Sequence, residues 1–186
     1  GYFAKTLGVN FDYHGICLIN ARGESSISKI AQLVRRFHIP AVCLYDRDVM
    51  GTSKQSPYVF FTDFICYEMD VVKSCLAHRG RKALDQVIGD MEDAGDAVNT
   101  SLIKKAGAKL GLPKGYYPPV KLKNINPRNR EALEFYYFAW LYGNKGVIIG
   151  RTLGRSLSKE LIPPAFARVI QAAVQFSGGS GKAAKN

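Results

Sequence analysis

Two short apolar runs, residues 15–21 and 41–45, bracket a stretch with helical periodicity, and no other feature constrains the fold as strongly. The first run reads Gly15-Ile16-Cys17-Leu18-Ile19-Asn20-Ala21, and the second reads Ala41-Val42-Cys43-Leu44-Tyr45. Runs this short, bounded by Gly and Pro, read as buried strands. Between them Ile27, Ile30, Ala31, Val34 and Phe37 recur at helical spacing, so residues 25–38 read as an amphipathic helix with a Ser cap at Ser25. His38-Ile39-Pro40 ends the helix and the second strand begins at once. Strand, helix and strand with short joins make a βαβ unit, which implies parallel pairing and a right-handed crossover. Residues 2–7 read as the tail of an earlier helix.

The second strand runs directly into Asp46-Arg47-Asp48-Val49-Met50-Gly51. Open α/β sheets place ligands outside the carboxyl ends of their strands, so two carboxylates there lie where a ligand is expected. Hard ions such as Mg²⁺ are held by one or two carboxylates, with water and phosphate supplying the rest. An Asp-rich turn leaving a strand is the plainer alternative, since Asp and Gly favour turns. Exposed acids at a strand end are expected to contribute little to the core.

The order of helix, strand, Gly23 turn, helix, strand and Asp-x-Asp-x-x-Gly resembles the Toprim domain of topoisomerases, primases and certain nucleases. The match is best to the Toprim nuclease domain of the overcoming-lysogenization-defect (OLD) family, which has similar phrases at residues 16–23 and 37–40. The resemblance implies an α/β Toprim-like, Rossmannoid parallel sheet with a helical insertion. It implies a metal-dependent DNA endonuclease that nicks or cleaves by a two-metal mechanism, with Mg²⁺ or Mn²⁺ as cofactor and Ca²⁺ as a non-catalytic substitute. It also implies an ATPase domain preceding this one in the same polypeptide, a homodimer, and a role in phage defence or DNA processing. No Gly-x-x-x-x-Gly-Lys-Ser/Thr loop occurs in this sequence, so the ATPase part is expected elsewhere. The family holds metal with a further glutamate at the end of its first strand. This sequence opens at Gly1 in what corresponds to the next helix, so the expected metal site is incomplete.

Carried over residue by residue, the resemblance makes Asp46 and Asp48 metal ligands and catalytic acids. Residues 57–62 read as a third strand, rich in aromatic and β-branched residues, followed by a helix to about Ala77. Glu68, near the start of that helix, is the candidate second-metal ligand, with Asp70 behind it and Glu92 and Asp93 as fallbacks. The plain reading of Glu68 is an acid facing the helix macrodipole. Lys145, in Gly143-Asn144-Lys145-Gly146, corresponds to a functional lysine of the family and would stabilise transition-state charge; a surface lysine in a Gly-rich turn is its alternative.

The remainder is helical in pattern over residues 80–89, 96–110, 128–142 and 147–157, punctuated by prolines. The expected organisation is a Toprim core over 1–77, a helical insertion over 78–142, a C-terminal part of the domain over 143–176, and a basic flexible tail over 177–186. The chain carries 26 Lys and Arg against 15 Asp and Glu, a net charge of +11, which favours a polyanionic partner and here DNA. Lys104, Lys105 and Lys109 cluster in one helical stretch, and Arg151 and Arg155 lie one turn apart; both sets suit backbone phosphates, a solvated face being the alternative. Tyr116-Tyr117-Pro118-Pro119 offers a stacking surface or a ring-packed loop. Cys17, Cys43, Cys66 and Cys75 form no Cys-x-x-Cys pair, and buried reduced thiols in a protein expected to be cytoplasmic explain them better than zinc or disulfides. No apolar run approaches a membrane span. Two other readings stand beside the nuclease: another Toprim enzyme of topoisomerase or primase type, and a catalytically silent DNA-binding domain.

Overall fold

A computed structural model describes residues 1–21, 23–51, 56–95, 98–115, 121–144 and 146–179. The chain is α/β, and its described residues are mostly helical, with a two-stranded parallel sheet among them. It divides into two compact units, Gly1–Tyr67 with Pro163–Asn186, and Glu68–Ile162.

The first unit holds α1 (Tyr2–Thr6), α2 (Glu24–Arg36), β1 (Cys43–Tyr45), β2 (Val59–Phe61) and α8 (Pro164–Gly179). The paired strands follow from their side chains: aromatic and aliphatic residues fit a pleated, half-buried surface. Cys43 pairs with Val59 and Tyr45 with Phe61 in parallel register. Against them α2 sets Ala31 and Ile27, forming a core with Cys43, Tyr45, Ala41, Val49, Val59 and Phe61. The Ser28 hydroxyl and the Tyr45 phenol share a hydrogen bond of 2.9 Å that ties the helix to the strand. Helix α8 packs on both strands and on α1, with Phe166 edge-on to Phe3 (ring centroids 5.5 Å apart) and against Tyr67 (5.0 Å).

Two local expectations change. Residues 15–21 form no strand: β1 takes β2 as its parallel partner, and Leu18 and Ile19 are 71% and 53% exposed. An apolar run becomes a strand only where another strand completes its backbone hydrogen bonds, and local sequence does not decide that. Ser25 lies inside α2 and does not cap it; the cap position is Gly23, at φ 152°, a backbone conformation that favours glycine. The helix ends at Arg36, two residues before the expected His38, which takes φ 59° while the Ile39 amide closes back on the Val34 carbonyl at 3.2 Å.

The second unit comprises α4 (Arg81–Asp93), α5 (Thr100–Lys109), α6 (Arg130–Gly143), α7 (Val147–Ser156) and all but the first residue of α3 (Tyr67–Ala77). The helical segment expected over 78–142 lies within it, whereas the part expected from 143 onward divides between α7 here and α8 in the first unit. Helix α6 is apolar around nearly its whole circumference, which suits a central helix, and Tyr136, Tyr137, Phe138 and Trp140 are fully buried. Asn99 and Asn129 cap α5 and α6, each side-chain oxygen accepting a backbone N–H at 3.0 Å. Helices α5 and α6 approach closely where Gly143 meets Leu102; a Cβ on Gly143 would fall 2.8 Å from a Leu102 methyl.

Candidate metal centre

β1 ends at Tyr45, and the chain turns at once into a short 3-10 turn, Arg47–Val49. This puts Asp46 and Asp48 at the carboxyl end of a parallel strand, as expected. Asp48 is exposed and Asp46 is half-buried. The turn is stitched to the segment that follows β2. The Tyr67 amide donates to Asp46 Oδ1 at 3.1 Å, the Arg47 amide to the Thr62 hydroxyl at 2.9 Å, and the Asp48 amide to the Ile65 carbonyl at 3.4 Å. Arg47 also reaches the Asp63 carbonyl with its guanidinium at 3.3 Å. Asp63 in turn accepts a charged hydrogen bond from Arg168 of α8.

Asp46 therefore has a structural role that the sequence reading did not give it. Tyr67 is the first residue of α3, and its N–H has no partner within the helix. The Asp46 carboxylate satisfies it and faces the positive end of the helix. Thr62, Asp63 and Arg168 were also missed as supports of the acids. A Thr directly after a strand run is a weak signal for Thr62; an ion pair spanning 105 residues has no sequence signal.

Glu68 and Asp70 lie in the first turn of α3 and belong to the second unit, where both side chains are buried, at 6% and 2% exposure. Glu92 accepts hydrogen bonds from the Tyr136 hydroxyl and the Leu122 amide; burial pushes its carboxyl upward, opposed by the Leu122 N–H and by Lys121. Asp93 is exposed. A parallel arrangement ties α6 to α4: Asp85 accepts from the Tyr137 hydroxyl and from Arg81 Nε, the latter at 3.1 Å. Burial, then the bond to Asp85, holds the Tyr137 hydroxyl well above the usual tyrosine range.

Lys145 and residues 116–120 lie outside the described residues. Lys104 and Lys105 are exposed on α5, with Lys109 partly covered; Arg151 and Arg155 are exposed on α7. Cys43, Cys66 and Cys75 are buried and form no disulfide, as expected, whereas Cys17, expected to be buried, is exposed. Burial pushes the Cys75 thiol up to about 12, which makes it inert. Among the described residues, no group of three or more His, Cys, Asp or Glu side chains is gathered to hold a metal ion, and no helix is long and apolar enough to cross a membrane.

The donor chemistry of the Asp46 and Asp48 turn fits a hard divalent ion. Both side chains are oxygen donors, they leave one strand end on a single turn, and that turn is held by the Asp46 side chain and by the Arg47 and Asp48 amides. Two carboxylates are the usual protein share for an ion such as Mg²⁺.

Residues 1–48 match the family model for the overcoming lysogenization defect protein-like TOPRIM domain, and the match closes on Asp48, the second of the paired acids. No curated protein and no solved structure matches the chain. The acids at the carboxyl end of β1 lie inside or at the edge of that segment, so residues 1–48 are similar to a Toprim domain of the overcoming-lysogenization-defect-like family, a class commonly of metal-dependent nucleic-acid enzymes.

Proposed function

We propose that this chain is the nuclease part of an OLD-family protein, a divalent-metal-dependent DNA endonuclease that nicks or cleaves duplex DNA. The observation that carries the reading is the Asp46 and Asp48 turn, fixed at the carboxyl end of β1 inside the segment that matches the family. Asp46 and Asp48 would hold Mg²⁺ or Mn²⁺. When bound, such ions activate water for attack on the phosphodiester and stabilise the leaving oxygen, a pair of ions doing both.

The chain's own residues supply the rest. Asp46 and Asp48 fix where the ion and the scissile phosphate meet. Lys145 is proposed to add positive charge as charge builds on the phosphate. Glu68, with Asp70 behind it and Glu92 and Asp93 as fallbacks, is proposed as the further acid, and that assignment rests on sequence resemblance. Lys104, Lys105 and Lys109 on α5, and Arg151 and Arg155 on α7, are proposed to follow the phosphate backbone, in keeping with the net charge of +11. An ATPase domain in the same polypeptide, a homodimer, a cytoplasmic setting and a role in phage defence or DNA processing complete the proposal.

The test pairs Mn²⁺ binding with nicking of supercoiled plasmid. Asp46→Asn and Asp48→Asn are each expected to weaken Mn²⁺ binding and abolish nicking while the fold persists. DNA binding that survives EDTA, with no cleavage under any divalent metal, would instead mark a silent DNA-binding domain.

A further inference from the structure

We infer that Thr62 is the positioning residue of the paired acids, holding the turn that carries them in the geometry a divalent ion requires. The inference rests on the metal-binding reading of Asp46 and Asp48 and adds to it a side chain that neither touches the ion nor carries charge.

Thr62 follows β2 directly and is 1% exposed. A buried hydroxyl has to find hydrogen-bond partners. Its two bonds face opposite ways: Oγ1 accepts from the Arg47 amide at 2.9 Å and donates to the Phe64 carbonyl at 2.7 Å. With donor and acceptor both engaged, the hydroxyl has one orientation, and the β-branched side chain allows few χ1 values. The Thr62 amide also donates to the Tyr45 carbonyl at 3.0 Å, so its own backbone is fixed to the end of β1.

The point of attachment matters. Arg47 stands between the two acids, and its amide is the peptide that joins Asp46 to Arg47. Pinning that peptide limits the backbone rotations that aim Asp46 on one side and Asp48 on the other. Two carboxylates so close in sequence repel each other when no ion is present, and an untied turn would relax by swinging them apart. The Thr62 hydroxyl opposes that at the midpoint, while the Tyr67 and Ile65 contacts hold the two ends. Groups that hold metal ligands without touching the ion commonly set affinity by 10–100-fold.

The experiment measures free Mn²⁺ by electron paramagnetic resonance as it is titrated into the 186-residue chain and into Thr62→Val, Thr62→Ser, Val59→Ala, Asp46→Asn and Asp48→Asn. Thr62→Val keeps the shape and removes the hydroxyl; it is expected to weaken Mn²⁺ binding by about 10–100-fold. Thr62→Ser restores the hydroxyl and should recover most of the affinity. Val59→Ala trims the same sheet without touching the turn, so it should lower thermal stability and leave Mn²⁺ affinity near wild type. Equal losses in Val59→Ala and Thr62→Val would show a general stabilising role and overturn the inference. Wild-type affinity in Thr62→Val, with binding lost in Asp46→Asn, overturns the inference and leaves the metal reading standing. Mn²⁺ binding that is absent, or indifferent to both Asp→Asn changes, overturns both. Should Thr62→Val fail to fold, amide exchange in the wild-type chain decides: a protected Arg47 amide supports the attachment, and exchange at open-loop rates overturns it.

Discussion

Asp46 carries two loads, and replacing it with Ala or with Asn separates them. Its Oδ1 accepts the Tyr67 amide at 3.1 Å at the start of α3, and the side chain is half-buried. Ala removes the acceptor. Loss of a helix-capping acceptor costs about 0.5–2 kcal/mol, and loss of a negative charge at a helix N-terminus costs about 0.3–1 kcal/mol. Because these overlap, Asp46→Ala is expected to cost about 1–2 kcal/mol. At about 2–4 °C per kcal/mol for a chain of this size, its melting temperature should fall by about 2–8 °C. Asn keeps an oxygen that can face the Tyr67 N–H and loses only the charge, so its fall should stay below about 4 °C. Both variants should lose Mn²⁺ affinity and Mn²⁺-dependent nicking alike, because a neutral amide is a poor ligand for a hard cation. Calorimetry or far-ultraviolet circular dichroism is the stability assay. An Asn variant as destabilised as the Ala variant would refute the capping argument. An Asn variant that binds Mn²⁺ and nicks like wild type would refute the metal assignment.

Neutralising Lys104, Lys105 and Lys109 together should weaken duplex binding similarly across sequences and reduce the salt slope by up to ~3 units; an unchanged slope marks a solvated face. Lys145→Ala should lower the cleavage rate on the order of 10²–10³ with little loss of DNA affinity, whereas Lys159→Ala should change neither; normal turnover with poor binding would make Lys145 a backbone clamp. His38→Gly should raise stability by up to ~1 kcal/mol in urea unfolding, since His38 holds φ 59° at the end of α2. The folded chain keeps the Tyr137 proton above the usual value of 10.0, so that stability is complete below pH 10.0 and is lost as pH rises beyond it. Trp140 fluorescence in urea at stepped alkaline pH should show the midpoint falling, and Tyr137→Phe should flatten that fall.

How far sequence reaches is visible element by element. The period of Ile27, Ile30, Ala31 and Val34 was enough for α2, because it reflects the geometry of the chain's own backbone, whereas the apolar runs around β1 and β2 became strands by pairing with each other. The position of Asp46 and Asp48 at a strand end followed from adjacency alone. Helix α8 went unread as an element, although Pro164 at its first position and the apolar run after it were signals. Residues 15–21 have the composition of a strand and are none, because strand pairing depends on a partner distant in sequence. Gly23 caps α2 in place of Ser25 because the chain enters the helix at a φ that favours glycine. The double role of Asp46, the hydroxyl of Thr62 beneath Arg47, and the Arg168 ion pair with Asp63 across 105 residues came only from the tertiary structure. Sequence determined which carboxylates stand on the turn; packing decided what holds them there, because a hydrogen bond between distant segments leaves no periodicity in either one.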